Sequence, residues 1–217
     1  MAPVGNRHFI EYVLHPLRQV GIKDLILCVG YKRDQIQNWL HDGSRYGFRV
    51  RYSVEKQLLG TAGAVRLAAE MVNTDTCLVL NGDSFLELDL AGMYQFHRSQ
   101  EALATIALAR VQDSSRYGTV QLDHDSKIVA FHEKTQLEGE NLRRHGGLSL
   151  INGGVYLIER ALLDGTPVGQ SFSLEKQVFP GLAGGRLYGF LASGFFIDIG
   201  VPADYVRAQA EMPRRFY

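Results

Sequence analysis

An excess of charge of either sign is absent from this chain. Lysine and arginine together number 23, aspartate and glutamate also number 23, and the formal net charge is zero. Proteins that bind nucleic acid or anionic membranes through their overall field carry a basic excess, so neither partner is expected. The chain also lacks a run of ~18 apolar residues and a charged N-terminal region followed by an apolar block. We therefore predict no membrane span and no signal peptide, and a cytoplasmic location.

Cysteine is scarce, and the usual signatures of nucleophilic catalysis are missing. The two cysteines, Cys28 and Cys77, each lie inside an apolar run. This predicts reduced side chains in buried strands rather than a disulfide. The seven histidines are scattered without metal-ligand spacing, and no Gly-x-Ser-x-Gly motif is present. The sequence therefore gives nucleophilic catalysis no support.

What is present is the composition of an ordinary globular protein. Hydrophobic residues make up 46% of the 217 residues and charged residues 21%, and this length allows one large domain or one and a half. Strands and helices alternate in the first half, which predicts a parallel, doubly wound α/β sheet. Helical spacing covers residues 9–20, 34–40 and 61–71, and strand-like runs cover residues 25–29, 49–54 and 77–80.

The second half changes character and predicts a mixed sheet with antiparallel additions. Strand candidates cover residues 103–110, 119–122, 127–133 and 155–158, with few helices between them. Two helices are predicted over residues 173–179 and 203–211, with a strand over 195–199 between them. The polar, glycine-containing segment 138–147 is the best candidate for a mobile loop.

Two acids follow apolar runs at predicted strand ends. Asp83 closes the Asn81-Gly82-Asp83 turn, where we expect Gly82 to permit a sharp bend, and Asp198 lies between two apolar stretches. Ligands of open parallel sheets bind beyond the carboxyl ends of the strands. Asp83 and Asp198 could therefore share a Mg²⁺ held against a phosphate. The plainer alternatives are a turn in which Asp83 caps the next segment and a helix cap formed by Asp198.

Two further stretches suit a phosphorylated ligand. The Leu59-Gly60-Thr61-Ala62-Gly63 segment opens a predicted helix, and its glycines would let a flat ligand or a phosphate approach the backbone. Close packing of the helix on a strand is the alternative. In Phe131-His132-Glu133-Lys134, Glu133 could accept hydrogen bonds from sugar hydroxyls and Lys134 could hold a phosphate. An exposed salt-bridging pair is the alternative there.

These stretches, in this order, resemble the sugar-1-phosphate nucleotidylyltransferases over residues 1–209. Within that family the chain is most similar to the D-glycero-D-manno-heptose 1-phosphate guanylyltransferases, and mannose-1-phosphate guanylyltransferases resemble it almost as well. Besides the four stretches above, the resemblance rests on Met1-Ala2-Pro3-Val4, Ser53-Val54-Glu55-Lys56, Arg116-Tyr117-Gly118-Thr119-Val120, Ile151-Asn152-Gly153-Gly154-Val155-Tyr156 and the segment from Phe196 through Asp198 to Tyr205.

The resemblance implies a fold, two substrates and a set of roles. The expected fold is a Rossmann-like doubly wound mixed sheet with helices on both faces. It forms one domain over residues 1–217, with a nucleotide-binding half over about 1–100 and a sugar-phosphate-binding half over about 101–217. A sugar 1-phosphate would attack the α-phosphorus of a nucleoside triphosphate, and pyrophosphate would leave. A homo-oligomer is left open.

The roles implied are Mg²⁺ binding and catalysis for Asp83 and Asp198, catalysis and sugar-phosphate binding for Lys134, sugar-phosphate binding for Glu133, Asn152 and Gly153, and nucleotide binding for Leu59, Gly60, Thr61 and Gly82.

Glu55 bears on the choice of base. It lies where family members that use thymidine triphosphate often carry an amide, and a carboxylate can accept both N1–H and the exocyclic amine of guanine. This favours GTP, although Glu55 could instead pair with Lys56 at the surface.

The chain departs from the family pattern at its beginning. The family starts with a strand and a Gly-x-Gly-Thr-Arg loop, followed by Pro-Lys-Pro, and this sequence starts after that point. If the chain begins at Met1, we expect very low activity and an unpaired strand edge in the sheet. Two alternatives thus remain: a truncated or degenerate protein that binds sugar phosphate or nucleotide without turnover, and a glycosyltransferase of related fold, although such enzymes usually carry Asp-x-Asp where Asn81 stands.

Overall fold

The computed structural model describes residues 1–132, 148–165 and 167–216, which form a mixed α/β fold. The helices are α1 (Phe9–Gln19), α2 (Arg33–Leu40), α3 (Gly60–Ala69), α4 (Leu90–Ser99), α5 (Arg160–Asp164), α6 (Phe179–Leu182) and α7 (Pro202–Arg215). The strands are β1 (Pro3–Val4), β2 (Arg7–His8), β3 (Asp24–Val29), β4 (Arg49–Val54), β5 (Thr76–Leu80), β6 (Ser84–Leu86), β7 (Ala104–Val111), β8 (Thr119–Leu122), β9 (Ile128–His132), β10 (Ser149–Glu159), β11 (Leu187–Leu191) and β12 (Phe196–Asp198). A 3₁₀ turn covers Ser44–Tyr46 and a π-helical turn covers Leu174–Val178.

The main sheet is mixed, as the sequence predicts, and β10 lies at its centre. The strand order is β11-β7-β10-β8-β9, and β5 also pairs with β10. β10 is antiparallel to β5, β7 and β8, whereas β11 runs parallel to β7. The residues of β10 form an almost unbroken buried run, which is typical of a strand that is covered on both faces.

The helices of the first half follow their apolar periodicity. In α1, Phe9, Tyr12, Val13 and Leu17 line one buried face, and Glu11 accepts a hydrogen bond from the His8 N–H at 2.8 Å. This contact satisfies an amide at the helix start that would otherwise lack a partner. The predicted helices over residues 9–20, 34–40, 61–71 and 203–211 are confirmed, with ends shifted by up to four residues.

The strands β3 and β5 differ from prediction in their burial. Both were expected to be covered on both faces, yet only Val29 of β3 is buried, Cys28 is exposed, and every residue of β5, Cys77 included, is half-buried. Within the described residues β3 pairs with β4 alone and β5 with β10 alone, so each keeps one edge without a ladder. The expectation of buried cysteines was therefore wrong, because apolar content reports the faces of a strand and not its edges.

Several elements were not predicted. Helix α4 and the strands β6 and β11 are absent from the sequence-based assignment, and the predicted helix over residues 173–179 is a π-helical turn that continues into α6. The predicted loop 138–147 lies outside the described residues. Among the helices described, none is long and apolar enough to cross a membrane.

Candidate active site

Asp83 and Asp198 lie side by side at one end of the fold. Asp198 ends β12 and is the register partner of Ser84, which directly follows Asp83 in the chain. The Ile199 N–H donates to the Asp83 carbonyl oxygen at 2.8 Å, which extends the pairing past both acids. A short antiparallel strand pair thus brings together two carboxylates that are more than a hundred residues apart in sequence.

The two carboxylates influence each other electrostatically. Although Asp83 as a whole is solvent-exposed, the atoms packed around its carboxyl raise the pKa of Asp83, and the nearby charge of Asp198 raises it further. The Asp83 carboxyl accepts a hydrogen bond from its own backbone N–H, whereas Asp198 Oδ1 accepts one from the Gly200 N–H at 2.7 Å. Paired like charges of this kind favour a proton or a cation between them.

Neither acid has the plain capping role that was considered as an alternative. Helix α7 begins at Pro202 with Val201 as its N-cap, so Asp198 does not cap it. Asp83 is followed by strand β6 rather than by a helix. Two neighbouring carboxylates fit a Mg²⁺ ion, which binds through one or two carboxylates and keeps its other positions for water and phosphate oxygens.

Gly82 lies open in front of this pair. Its φ is outside the left-handed region, and a Cβ placed on it would meet nothing within 4 Å. The expectation that Gly82 is needed for a sharp bend was therefore wrong, because the backbone here is accessible to any L-residue. Neither the backbone conformation nor a neighbouring atom of the described chain requires a glycine at position 82. The absence of a side chain leaves open space at this position.

The glycines at the start of α3 serve a different purpose. Gly60 has a φ of +68°, and a Cβ on it would lie 2.7 Å from the Phe172 carbonyl oxygen. That oxygen accepts hydrogen bonds from the N–H groups of Ala62 and Gly63 at 2.9 and 3.2 Å. A close approach of backbone does occur here, but the partner is residues 170–172 of the same chain. Two amides of the helix N-terminus are thus engaged internally.

Glu55 supports the turn that leads into α3. Its Oε2 accepts a hydrogen bond from the Leu59 N–H at 2.9 Å, and the residue is half-buried at the carboxyl end of β4. No ion pair joins Glu55 and Lys56 in the part of the chain that the structure describes, which removes the alternative of a surface pair. Although Cys28 as a whole is exposed, the atoms packed around its thiol raise the pKa of Cys28 to about 11, and the negative charge of Glu55 contributes to this shift.

Asn152 and Gly153 lie at an irregularity of β10 that faces the Asp83 loop. The register of β10 with β7 shifts between Asn152 and Tyr156, and Gly154 has a φ of +76°. The Asn81 N–H donates to the Gly154 carbonyl oxygen at 2.8 Å, so the loop that carries Asp83 contacts this bulge directly. A Cβ on Gly153 would overlap Leu86 Cδ2 and lie 3.0 Å from the Ala107 carbonyl oxygen, so a side chain there would force its neighbours to move. Bulges of this type re-aim side chains next to functional sites.

Two groups of residues near the site were missed by the sequence analysis. Tyr156 and Glu175 form hydrogen bonds that reach Asn152 and Thr61. Arg116 forms an ion pair with the buried Asp204 at 2.5 Å, which joins the segment before β8 to the first turn of α7. Tyr156 lies in an apolar run and Glu175 in a helical one, so neither pattern distinguishes them from core or surface residues.

Glu133 and Lys134 lie outside the described residues, and their assignments to sugar-phosphate binding and catalysis stay predictions. The described residues therefore bring together Asp83 and Asp198, and place Asn81, Asn152 and Gly153 beside them. Glu55, Leu59, Gly60 and Thr61 form a second group around the start of α3.

Comparisons with known proteins identify relatives of the same family that the sequence resembles. The family description "Nucleotidyl transferase" matches residues 1–215. A D-glycero-alpha-D-manno-heptose 1-phosphate guanylyltransferase of Aneurinibacillus thermoaerophilus is 36% identical, over 98% of this chain and 88% of the relative. A mannose-1-phosphate guanylyltransferase of Mycobacterium tuberculosis is 35% identical, over 99% of this chain and 58% of the relative.

Solved structures share the architecture. The crystal structure of HddC from Yersinia pseudotuberculosis complexed with GMP-PN has a TM-score of 0.83 and 27% identity, and the match covers 100% of this chain and 89% of that one. A putative glucose-1-phosphate thymidylyltransferase from Bacillus anthracis has a TM-score of 0.80 with 23% identity, over 96% of this chain and 83% of that one, which shows the shared fold alone.

Proposed function

This chain belongs to the nucleotidyl transferase family, and we propose that it transfers a guanylyl group from GTP to D-glycero-D-manno-heptose 1-phosphate, releasing pyrophosphate. The observation that carries the proposal is the Asp83–Asp198 pair at the strand ends, with open space at Gly82 in front of it. Among the described residues no cation forms an ion pair with either carboxylate, and such a pair suits a site that receives a metal together with phosphate groups.

The residues would act by holding and orienting the reactants. Asp83 and Asp198 would hold Mg²⁺, which when bound supplies charge neutralisation between the two reacting phosphates. Asn152 would contact the sugar phosphate through the Nδ2 hydrogen that its bonds to Tyr156 and Gly154 leave, and Gly153 lies next to it in β10. Lys134 and Glu133 would contact the sugar phosphate. No covalent intermediate on the protein is required, because in-line transfer needs positioning and charge stabilisation.

The preference for GTP rests on Glu55. One of its carboxylate oxygens is fixed by the Leu59 N–H, which orients the side chain at the carboxyl end of β4. A carboxylate can accept both neighbouring donors of guanine, whereas thymine offers a single donor in that region. The names of the relatives are consistent with this choice, since the two described above are guanylyltransferases. Mannose 1-phosphate is the alternative acceptor.

The direct test is pyrophosphate release by purified protein whose intact mass has been measured. Each nucleoside triphosphate is paired with heptose 1-phosphate and with mannose 1-phosphate, with and without Mg²⁺. We expect release that requires Mg²⁺ and is fastest with GTP and heptose 1-phosphate. Glu55→Gln should reduce use of GTP more than use of thymidine triphosphate, and an equal loss for both would refute the role in base recognition.

Binding without turnover is the second candidate function. If every pair binds but none releases pyrophosphate, the chain is a sugar-phosphate or nucleotide-binding protein and not an enzyme. Transfer of a sugar from a nucleotide sugar to an acceptor would instead assign a glycosyltransferase. The same samples distinguish the three outcomes, because binding, pyrophosphate release and sugar transfer are measured separately.

A further inference from the structure

One carboxylate accepts hydrogen bonds from three different parts of the chain. Thr61 Oγ1 donates to Glu175 Oε2 at 2.6 Å, Ser173 Oγ donates to the same oxygen at 2.9 Å, and the Tyr156 hydroxyl donates to Oε1 at 3.1 Å. An ionised carboxylate only accepts, so all three hydroxyl hydrogens point towards it. Hydrogen bonds to a charged acceptor are about twice as strong as neutral ones.

Tyr156 passes this orientation on to Asn152. The Tyr156 side chain is fully buried, and burial together with the charge of Glu175 raises the pKa of Tyr156, so its hydroxyl stays protonated. Its single proton goes to Glu175, and its oxygen therefore accepts from Asn152 Nδ2 at 3.0 Å and from the Asn81 side chain. Asn152 Oδ1 then accepts from the Gly154 N–H at 2.9 Å. The amide of Asn152 thus has one fixed orientation, with one Nδ2 hydrogen left over.

Thr61 carries the other arm of the network to α3. While its hydroxyl donates to Glu175, it accepts a hydrogen bond from the Leu174 N–H at 2.9 Å. This contact ties the first turn of α3 to the π-helical turn that contains Glu175. The hydroxyl of Thr61 is therefore used within the chain, and any effect of Thr61 on a nucleotide acts through the position of Leu59 and Gly60.

We propose that Glu175 is a positioning residue that couples the nucleotide-binding and sugar-phosphate-binding parts of the site, acting through Thr61 on one side and through Tyr156 and Asn152 on the other. The proposal rests on the proposed function, because it assigns the two arms to the two substrates. In this proposal Glu175 acts on the substrates through its hydrogen-bonding partners. The network spans residues 61 to 175, so it joins the two halves of the sequence through a single side chain.

The test measures substrate KM values and dissociation constants for variants that break one arm at a time. Tyr156→Phe removes the arm to Asn152 and should raise the KM for the sugar 1-phosphate about tenfold, the effect of losing one hydrogen bond of ~1.4 kcal/mol, with the KM for GTP unchanged. Thr61→Val removes the other arm and should show the reverse split. Glu175→Gln should raise both, because its amide nitrogen would face hydroxyl donors.

Two controls separate positioning from mere stability. Lys176→Ala alters a charge in the same turn, outside the network, and should leave both KM values unchanged. A structural role would instead lower the amount of folded protein in the three network variants, with both KM values unchanged, and that result would overturn the proposal. Thermal unfolding of every variant is recorded to identify this case.

Failure of the proposed function is recognised by a different readout. If the wild-type protein releases no pyrophosphate but binds GTP and sugar 1-phosphate, the split is measured in the two dissociation constants by calorimetry. If each variant changes the dissociation constant for only one of the two ligands, the inference stands and the proposal of enzymatic turnover is refuted. Turnover without a split overturns the inference alone, and absence of binding to both ligands overturns both.

Discussion

At the scale of single residues, Gly82 and Gly60 differ in whether the fold requires a glycine at their position. Gly82 has an ordinary φ, and a methyl group in place of its hydrogen would meet no atom within 4 Å. Gly60 combines a φ of +68° with the Phe172 carbonyl oxygen, which would lie 2.7 Å from such a methyl group. The sequence predicted both as nucleotide-binding glycines. Only the structure separates a glycine that the fold requires from one that leaves space for something else.

Alanine substitutions at the two glycines should therefore differ in kind. Gly60→Ala should lower the free energy of unfolding by at least ~1 kcal/mol, because alanine is strained at positive φ and meets backbone. Gly82→Ala should leave thermal unfolding unchanged but reduce pyrophosphate release. Calorimetry and the activity assay check both results. Full activity of Gly82→Ala would show that no substrate approaches this residue.

The carboxyl of Asp83 should make metal-free protein less stable at neutral pH. Its pKa in the folded state lies above the unfolded value, so folding favours the protonated form, and the ionised form opposes folding. This penalty is present above the raised pKa and is lifted as pH falls through it. Asp83→Asn removes the penalty at every pH, while it also removes a metal ligand.

We therefore expect Asp83→Asn, in the presence of a chelator, to unfold at the same or a higher temperature than wild type near neutral pH. The difference should shrink as pH is lowered through the raised pKa of Asp83 towards the ordinary aspartate range of about 4. Thermal unfolding across this pH range is the measurement. A variant clearly less stable than wild type at neutral pH would show that Asp83 serves the fold rather than a ligand.

A residue could be predicted as part of the site where a local sequence pattern marks it, and was missed where only a contact with a distant part of the chain does. The proximity of Asp83 and Asp198 was predicted from strand ends that lie at one edge of a sheet. The structure brings them together by another route, the antiparallel pair of β6 and β12, which is separate from the sheet of β5 in the described residues. The Thr61–Glu175 hydrogen bond joins residues 114 positions apart, and a glutamate in a short helix usually faces solvent. No local pattern distinguishes that glutamate, so only the fold reveals its role.

At the scale of elements, an ion pair attaches the segment before β8 to α7. Asp204 is 5% exposed in the first turn of α7, and Arg116 contacts it at 2.5 Å while Arg207 lies 3.6 Å from its other oxygen. Removing Arg116 leaves a largely buried carboxylate with the longer Arg207 ion pair alone among the described residues. Breaking such a pair costs more than removing an exposed one, although exposure of Arg116 reduces the effect.

Arg116→Ala should therefore lower the free energy of unfolding by ~1–2 kcal/mol. Arg215→Ala is the matched control, since Arg215 lies 3.8 Å from the exposed Glu87 and should change stability by less than ~1 kcal/mol. Denaturant unfolding of both variants makes the comparison. Equal effects would show that burial of Asp204 does not strengthen its pair.

The free edges of β3 and β5 have a measurable consequence. A central strand has both rows of backbone amides in ladders, whereas β3 is paired with β4 on one side only in the described chain. Hydrogen exchange should show alternate amides of Asp24–Val29 exchanging quickly, while the amides of β7 and β10 are uniformly protected. Uniform protection of β3 would show that its second edge is covered in solution.

At the scale of the whole molecule, composition and alternation predicted the class of fold, and the antiparallel second half of the sheet was predicted from its strand-rich pattern. The separation of the β3–β4 pair from the main sheet was not predicted, because pairing partners are not encoded in an apolar run. The π-helical turn at Leu174–Val178 was also unpredictable, although it places Glu175 where the network needs it.

The central claim is that Asp83 and Asp198 form the site of guanylyl transfer. The measurement that tests it most directly is Mg²⁺-dependent pyrophosphate release from GTP and heptose 1-phosphate by wild type, Asp83→Asn and Asp198→Asn, with folding confirmed for each. We predict release by the wild type alone and folded, inactive variants. Near-normal activity in either variant, or release that does not require Mg²⁺, would contradict this assignment.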